Sequence, residues 1–95
     1  MQINRYHRYT NSLFKILDYI AVDKLQSSKK FENNLNKQIN DIPNFPYKCR
    51  KSIYFDDENI RDMIFKGYTI IYRINQKKDC IDIVRIFNKN KLQMV

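Results

Sequence analysis

The sequence predicts an α+β fold, in which an N-terminal antiparallel two-helix hairpin packs on one face of a small, mainly antiparallel sheet of three to four strands. Three observations carry this. Two runs rich in Ile, Val, Tyr and Phe flank a short charged turn within residues 67–91, a β-hairpin signal. Ahead of them, apolar residues recur at helical spacing in two consecutive stretches within residues 10–41. The helical patterns come before the main strand patterns rather than alternating with them, which is the order of an α+β chain.

Residues 2–7 read as a short first strand in which only Ile3 and Tyr6 are apolar. Thr10, Asn11 and Ser12 then offer N-cap side chains. Leu13, Phe14, Ile16, Leu17, Ile20 and Ala21 predict a helix over about residues 10–22. Asp23 interrupts it, and Asp23 with Gln26 has the spacing of a reciprocal cap. The second helix runs to about residue 41, with Leu25, Ser28, Phe31, Leu35, Ile39 and Ile42 on one stripe and Lys29, Lys30, Asn33, Asn34, Lys37 and Asn40 opposite. A connection this short makes the helices antiparallel neighbours. Ile42-Pro-Asn-Phe-Pro46 ends the helix, because proline lacks the N–H and pushes the preceding residue out of helical geometry.

Residues 47–52 form a basic connector, 53–55 a short extended piece, 56–59 an acidic turn and 60–65 a strand. The sole glycine, Gly67, follows Lys66 where a tight turn needs positive φ. In the hairpin, Tyr68, Ile70, Tyr72 and Ile74 share one face, and Thr69, Ile71, Arg73 and Asn75 the other. Strict alternation in the last strand groups Ile81, Ile83, Arg85 and Phe87 against Cys80, Asp82, Val84 and Ile86. The helices are expected to shield one sheet face and leave the other partly open and basic. Residues 92–95 read as a tail.

Ninety-five residues suit one domain over 1–95 with one modest core, and 43% apolar with 14% aromatic content is enough to fill it. One Gly and two Pro exclude a linker or a low-complexity chain. A balance of 18 basic against 10 acidic residues, net +8, points to an anionic partner: nucleic acid, an acidic protein segment or a membrane surface. Cys49, Cys80 and the single His7 lack metal-ligand spacing, so neither a metal nor a cofactor is called for. No apolar run is long enough to span a bilayer, and two unpatterned thiols without an export signal imply the cytoplasm.

Four pieces in order carry a family resemblance: Ile16-Leu-Asp-Tyr-Ile20; Ile42-Pro-Asn-Phe-Pro46 followed by Arg50; Gly67-Tyr-Thr-Ile-Ile-Tyr-Arg-Ile74; and Ile81-Asp-Ile-Val-Arg-Ile-Phe-Asn88 with basic residues after it. In order and spacing they resemble the RelE/ParE superfamily of bacterial type II toxin–antitoxin toxins, over nearly the whole chain. The resemblance implies a compact toxin that halts growth until a cognate acidic antitoxin binds it. RelE-like members cut mRNA on the ribosome; ParE-like members poison DNA gyrase. Arg85 matches the arginine commonly found in the last core strand. Thr69 stands where many members have Arg, Asn88 where many have His, and no Tyr follows Phe87.

Cleavage through the 2′-hydroxyl needs a base, an acid and a cation for the phosphorane. Arg61, Arg85 and Lys89 are the candidate catalytic cations, and Arg73, Lys77, Lys78 and Lys91 the candidate nucleic-acid-binding ones. Asn88 cannot exchange a proton near neutral pH as His does. The missing His and Tyr favour gyrase as the target, with an mRNA endoribonuclease as the alternative and an inactive relic or nucleic-acid-binding module as the third reading. The plain structural readings are that Arg85 pairs with Asp62 or Asp82, that Arg73 is a surface cation, and that Lys89 and Lys91 serve solubility.

Overall fold

The computed structural model describes residues 1–88. Its five-stranded sheet runs β1-β5-β4-β3-β2, formed by β1 (Gln2–Arg5), β2 (Arg50–Lys51), β3 (Ile60–Phe65), β4 (Tyr68–Asn75) and β5 (Cys80–Asn88). Neighbours are antiparallel except β1, which lies parallel to β5 with Ile3 opposite Ile81. Helices α1 (His7–Asp23) and α2 (Leu25–Asp41) follow β1 and cover one face. The sheet has one strand more than expected. The addition is β2, two residues inside the basic connector, too short to show a period of two. Residues 53–55 are bends rather than an extended piece.

The helix ends also differ from expectation. α1 begins at His7, so Thr10 lies inside it and donates its hydroxyl to the His7 carbonyl at 3.0 Å instead of capping. Lys24 alone separates the helices, in extended backbone at φ −149° and ψ 119°, and no Asp23–Gln26 cap forms. Ser28 Oγ donates to the Leu17 carbonyl at 2.8 Å and ties α2 to α1.

The core joins Tyr9, Leu13 and Leu17 of α1 and Phe31, Leu35 and Ile39 of α2 to the helix-facing side chains of the sheet. Phe31 meets Phe65 and Tyr68 edge-on, with centroids 5.2 and 5.5 Å apart. Each such side chain contributes about 1.5–3 kcal/mol when fully buried, so this layer dominates stability.

The last strand does not alternate strictly. Ile71 lies opposite Arg85, but Tyr72 lies opposite Ile83, so the register skips Val84. One inserted residue resets the pleat. Ile81, Ile83 and Ile86 all join the helix-side core, while Asp82 and Arg85 fall on the other face. Unbroken alternation would have carried the Arg85 guanidinium into the core beside Ile83, which is costly without a partner.

That second face is less open than expected. The segment 52–58 folds back over it: Ile53 N–H donates to Asp62 Oδ2 at 3.1 Å, and Tyr54 packs edge-on against Phe87 at 5.4 Å. Asp62, Thr69, Ile71, Cys80 and Asp82 are all buried. Ile71 and Phe87 give this face an apolar demand of its own, which a bare basic surface would not meet.

Candidate functional site

On the face away from the helices, register aligns three rows across the strands. One runs Arg50, Asp62, Ile71, Arg85; a second runs Ile64, Thr69, Phe87; a third runs Ile60, Arg73, Asp82, Asn4. In the first row Arg50 Nη2 lies 3.4 Å from Asp62 Oδ2, and Asp62 Oδ1 is buried without a partner among the described residues. Arg85, at the other end, is exposed and has no acidic partner among them. The expected pairing of Arg85 with Asp62 or Asp82 is therefore replaced: Arg50 takes the first carboxylate and Arg73 the second.

The third row is a closed polar cluster. Arg73 donates from Nη2 and Nε to Asp82 Oδ2 at 2.7 and 3.2 Å, and Asn4 Nδ2 donates to Oδ1 at 3.2 Å. Burial pushes the Asp82 carboxyl up, but the hydrogen bonds from Arg73 and Asn4 outweigh it and hold it below the usual carboxylate range. The same bond to Asp82 raises Arg73, and burial followed by the Asp82 charge raises the Cys80 thiol. Arg73 Nη2 also donates to Tyr6 Oη at 3.1 Å.

Arg61 belongs to the opposite face, because it pairs in register with the core residue Tyr72. Its guanidinium donates to the Glu58 and Cys49 carbonyls at 2.9 and 3.1 Å, ion-pairs with Glu58 at 3.3 Å and stacks 4.8 Å from the Tyr47 ring. Only 13% of that side chain is exposed, so Arg61 fastens the connector to β3. Lys77 lies beside Arg73 at the β4–β5 turn, lining one shallow cleft with it, and Lys78 sits in the same turn. The structure thus brings Arg73 and Lys77 together and separates Arg61 from Arg85 by the thickness of the sheet. Lys89 and Lys91 lie outside the described residues.

Sequence reasoning named Arg50 only within the family resemblance and Asp62 only as a partner for Arg85, and did not pair the two, which anchor the row that ends at Arg85. The match of Arg50 to Asp62 is a cross-strand register that sequence order does not display. Among the described residues no group of three or more His, Cys, Asp or Glu is placed to hold a metal ion, and no helix is long and apolar enough to cross a membrane.

Comparison with known proteins gives two positive findings. Residues 7–92 match the family described as ParE toxin of type II toxin-antitoxin system, parDE. The fold superposes on a solved structure described as the chromosomal ParDE TA system from P. aeruginosa, with a TM-score of 0.73 and 14% identity, covering 93% of this chain and 95% of that one. No curated protein matches the sequence.

Proposed function

The chain belongs to the ParE toxin family of type II toxin–antitoxin systems, and from that premise we propose that it arrests bacterial growth in the cytoplasm by poisoning DNA gyrase until an acidic antitoxin silences it. The observation that supports gyrase over mRNA is the separation of Arg61 and Arg85. Phosphoryl cleavage needs cations converging on one phosphate with a proton donor and acceptor beside them. Here Arg61 is spent on Glu58, Cys49 and Tyr47 on the helix side, and Arg85 stands on the far side of the sheet. A contact surface built around Arg85 fits a binding poison better than a hydrolytic centre.

The net charge of +8 suits an acidic antitoxin. Inducing the chain in a bacterium and pulse-labelling DNA and protein separately tests the target. DNA synthesis should stop first, with the damage response switched on, and purified protein should block gyrase supercoiling. Early loss of protein synthesis with cut transcripts would overturn this in favour of the ribonuclease, and unimpaired growth in favour of an inactive relic. Arg85→Ala should abolish toxicity while the variant stays soluble and folded. Toxicity that survives in a folded variant would remove Arg85 from the site.

A further inference from the structure

The segment 52–58 crosses the face away from the helices as a strap, and it is fastened along its length. Ser52 N–H donates to the Ile60 carbonyl at 2.8 Å, and Ile60 N–H donates to the Asp57 carbonyl at 3.1 Å. Between these ends, Ile53 N–H donates to Asp62 Oδ2 at 3.1 Å, Tyr54 N–H donates to Ser52 Oγ at 3.2 Å, and Lys51 pairs with Asp56 at 3.2 Å. Asp62 lies on β3 and Phe87, which meets the Tyr54 ring, lies on β5, so the strap spans β4 between them. Its backbone is therefore fixed, yet the side chains it carries point to solvent. Ile53 is 63%, Phe55 45% and Tyr54 37% exposed.

One exposed apolar residue needs no explanation, but three in succession on an anchored loop make a patch. The anchor is itself costly, because Asp62 is a buried carboxylate. What it secures is the Ile53 N–H, which holds the patch in one conformation before any partner arrives and so lowers the ordering cost of binding. Arg85 stands two positions from Phe87 on the same face of β5, exposed and without an acidic partner among the described residues. Aromatic side chains beside an arginine are the chemistry of the centre of a protein–protein interface. The neighbouring charges select the class of partner. Asp56, Asp57 and Glu58 continue the strap with exposed carboxylates, only partly offset by Lys51 and Arg61. They repel a phosphate backbone, and they repel an acidic protein segment equally.

We infer that Ile53, Tyr54 and Phe55, with Arg85 beside them, form the ridge by which the toxin grips a folded protein target, one whose surface offers an apolar slot with a carboxylate at its side for Arg85. This rests on the gyrase reading and names the contact surface that reading requires. A second copy of this chain fits worse, since it would bring a second +8 charge to the encounter.

The test uses the full chain, purified gyrase and the product of the acidic reading frame that adjoins it. Ile53→Ser and Phe55→Ser alter side chains that project to solvent, so the thermal melt of each variant should match that of the unmodified chain. Each should nevertheless weaken inhibition of supercoiling by about tenfold or more, and the double variant should weaken it further. Ile53→Val and Phe55→Leu keep the apolar surface and should inhibit to within about twofold of the unmodified chain. Affinity for the antitoxin should stay the same throughout, which a general disturbance of the fold would not allow. A folded double variant that inhibits gyrase as well as the unmodified chain overturns the ridge and leaves the gyrase reading standing. An antitoxin affinity that falls as far as the inhibition does overturns it as well. So does a free chain of dimer mass that the double substitution makes monomeric, since that assigns the ridge to a second copy. An unmodified chain that leaves supercoiling untouched sinks the gyrase reading and the ridge together, a result that needs no variant and is distinct from the others.

Discussion

Two tyrosines of the same core show how burial alone does not fix the worth of a hydroxyl. Tyr9 Oη is buried with no partner among the described residues, and burial pushes its phenol up to about 12. Tyr72 Oη donates to the Pro46 carbonyl at 2.6 Å, and burial first, then the neighbouring Cys49, raise it still further. Tyr9→Phe removes an unmet polar group and should stabilise the protein by about 1 kcal/mol, whereas Tyr72→Phe strands a carbonyl and should cost about 1–2 kcal/mol. Thermal melts should therefore shift in opposite directions, by several degrees each in a domain of this size. Asp82 gives a pH test. Its folded pKa is depressed below the ordinary value of 3.8, so its contribution is complete above that value and is lost as pH falls through the lower, folded pKa. Denaturant titrations from pH 5 downward should show stability falling below about pH 4, and Asp82→Asn should remove that share of the fall. The sequence showed that an arginine in a strand wants a partner. It did not show that Asp82 would choose Arg73, because both sit on strands whose register is set by the bulge and the turn rather than by local spacing.

Elements closed by local contacts were the legible ones. The β3–β4 hairpin was visible because Lys66-Gly67 punctuates two apolar runs, and the structure holds these residues at φ 49° and 83°, a primed turn. Lysine is a poor choice at positive φ, where asparagine is several-fold enriched. Lys66→Asn should relieve about 1 kcal/mol of backbone strain while losing the 5.5 Å contact of the ammonium with the Phe65 ring, worth about 0.5 kcal/mol at an exposed site. A net gain of about 0.5 kcal/mol is expected in chemical denaturation, and a loss would mean that the ring contact outweighs the turn. The helical hairpin was legible for the same reason, since its stripes are local patterns, although the capping residues were misplaced because the helix starts from packing of Tyr9 rather than from a polar cap. β1 and β2 were harder. β1 finds its partner almost eighty positions away, and β2 is two residues long. The bulge at Val84 left one trace in the sequence: Ile83 and Ile86 are three apart, and an arginine interrupts the row that strict alternation would have made.

The whole molecule carries a charge of +8, and how that charge is arranged decides what it can do. Cations that look alike in a composition count divide into three roles. Arg50 and Arg73 neutralise buried carboxylates, Arg61 clasps a connector, and Arg85 with the turn lysines faces solvent. Of these, only the last group can attract a distant partner, together with exposed helix cations such as Lys29 and Lys30, because a paired charge presents little field beyond its own ion pair. An acidic antitoxin approaching this surface should nevertheless be steered by the unbalanced net charge, which acts over a Debye length of about 30 Å at 0.01 M salt and about 8 Å at 0.15 M. Stopped-flow association measured across that range should slow by about tenfold or more, while the dissociation rate, governed by the short-range contacts of the formed complex, should change far less. An association rate indifferent to salt would show that the net charge of +8 does not steer the encounter, and that recognition begins only when the two surfaces touch.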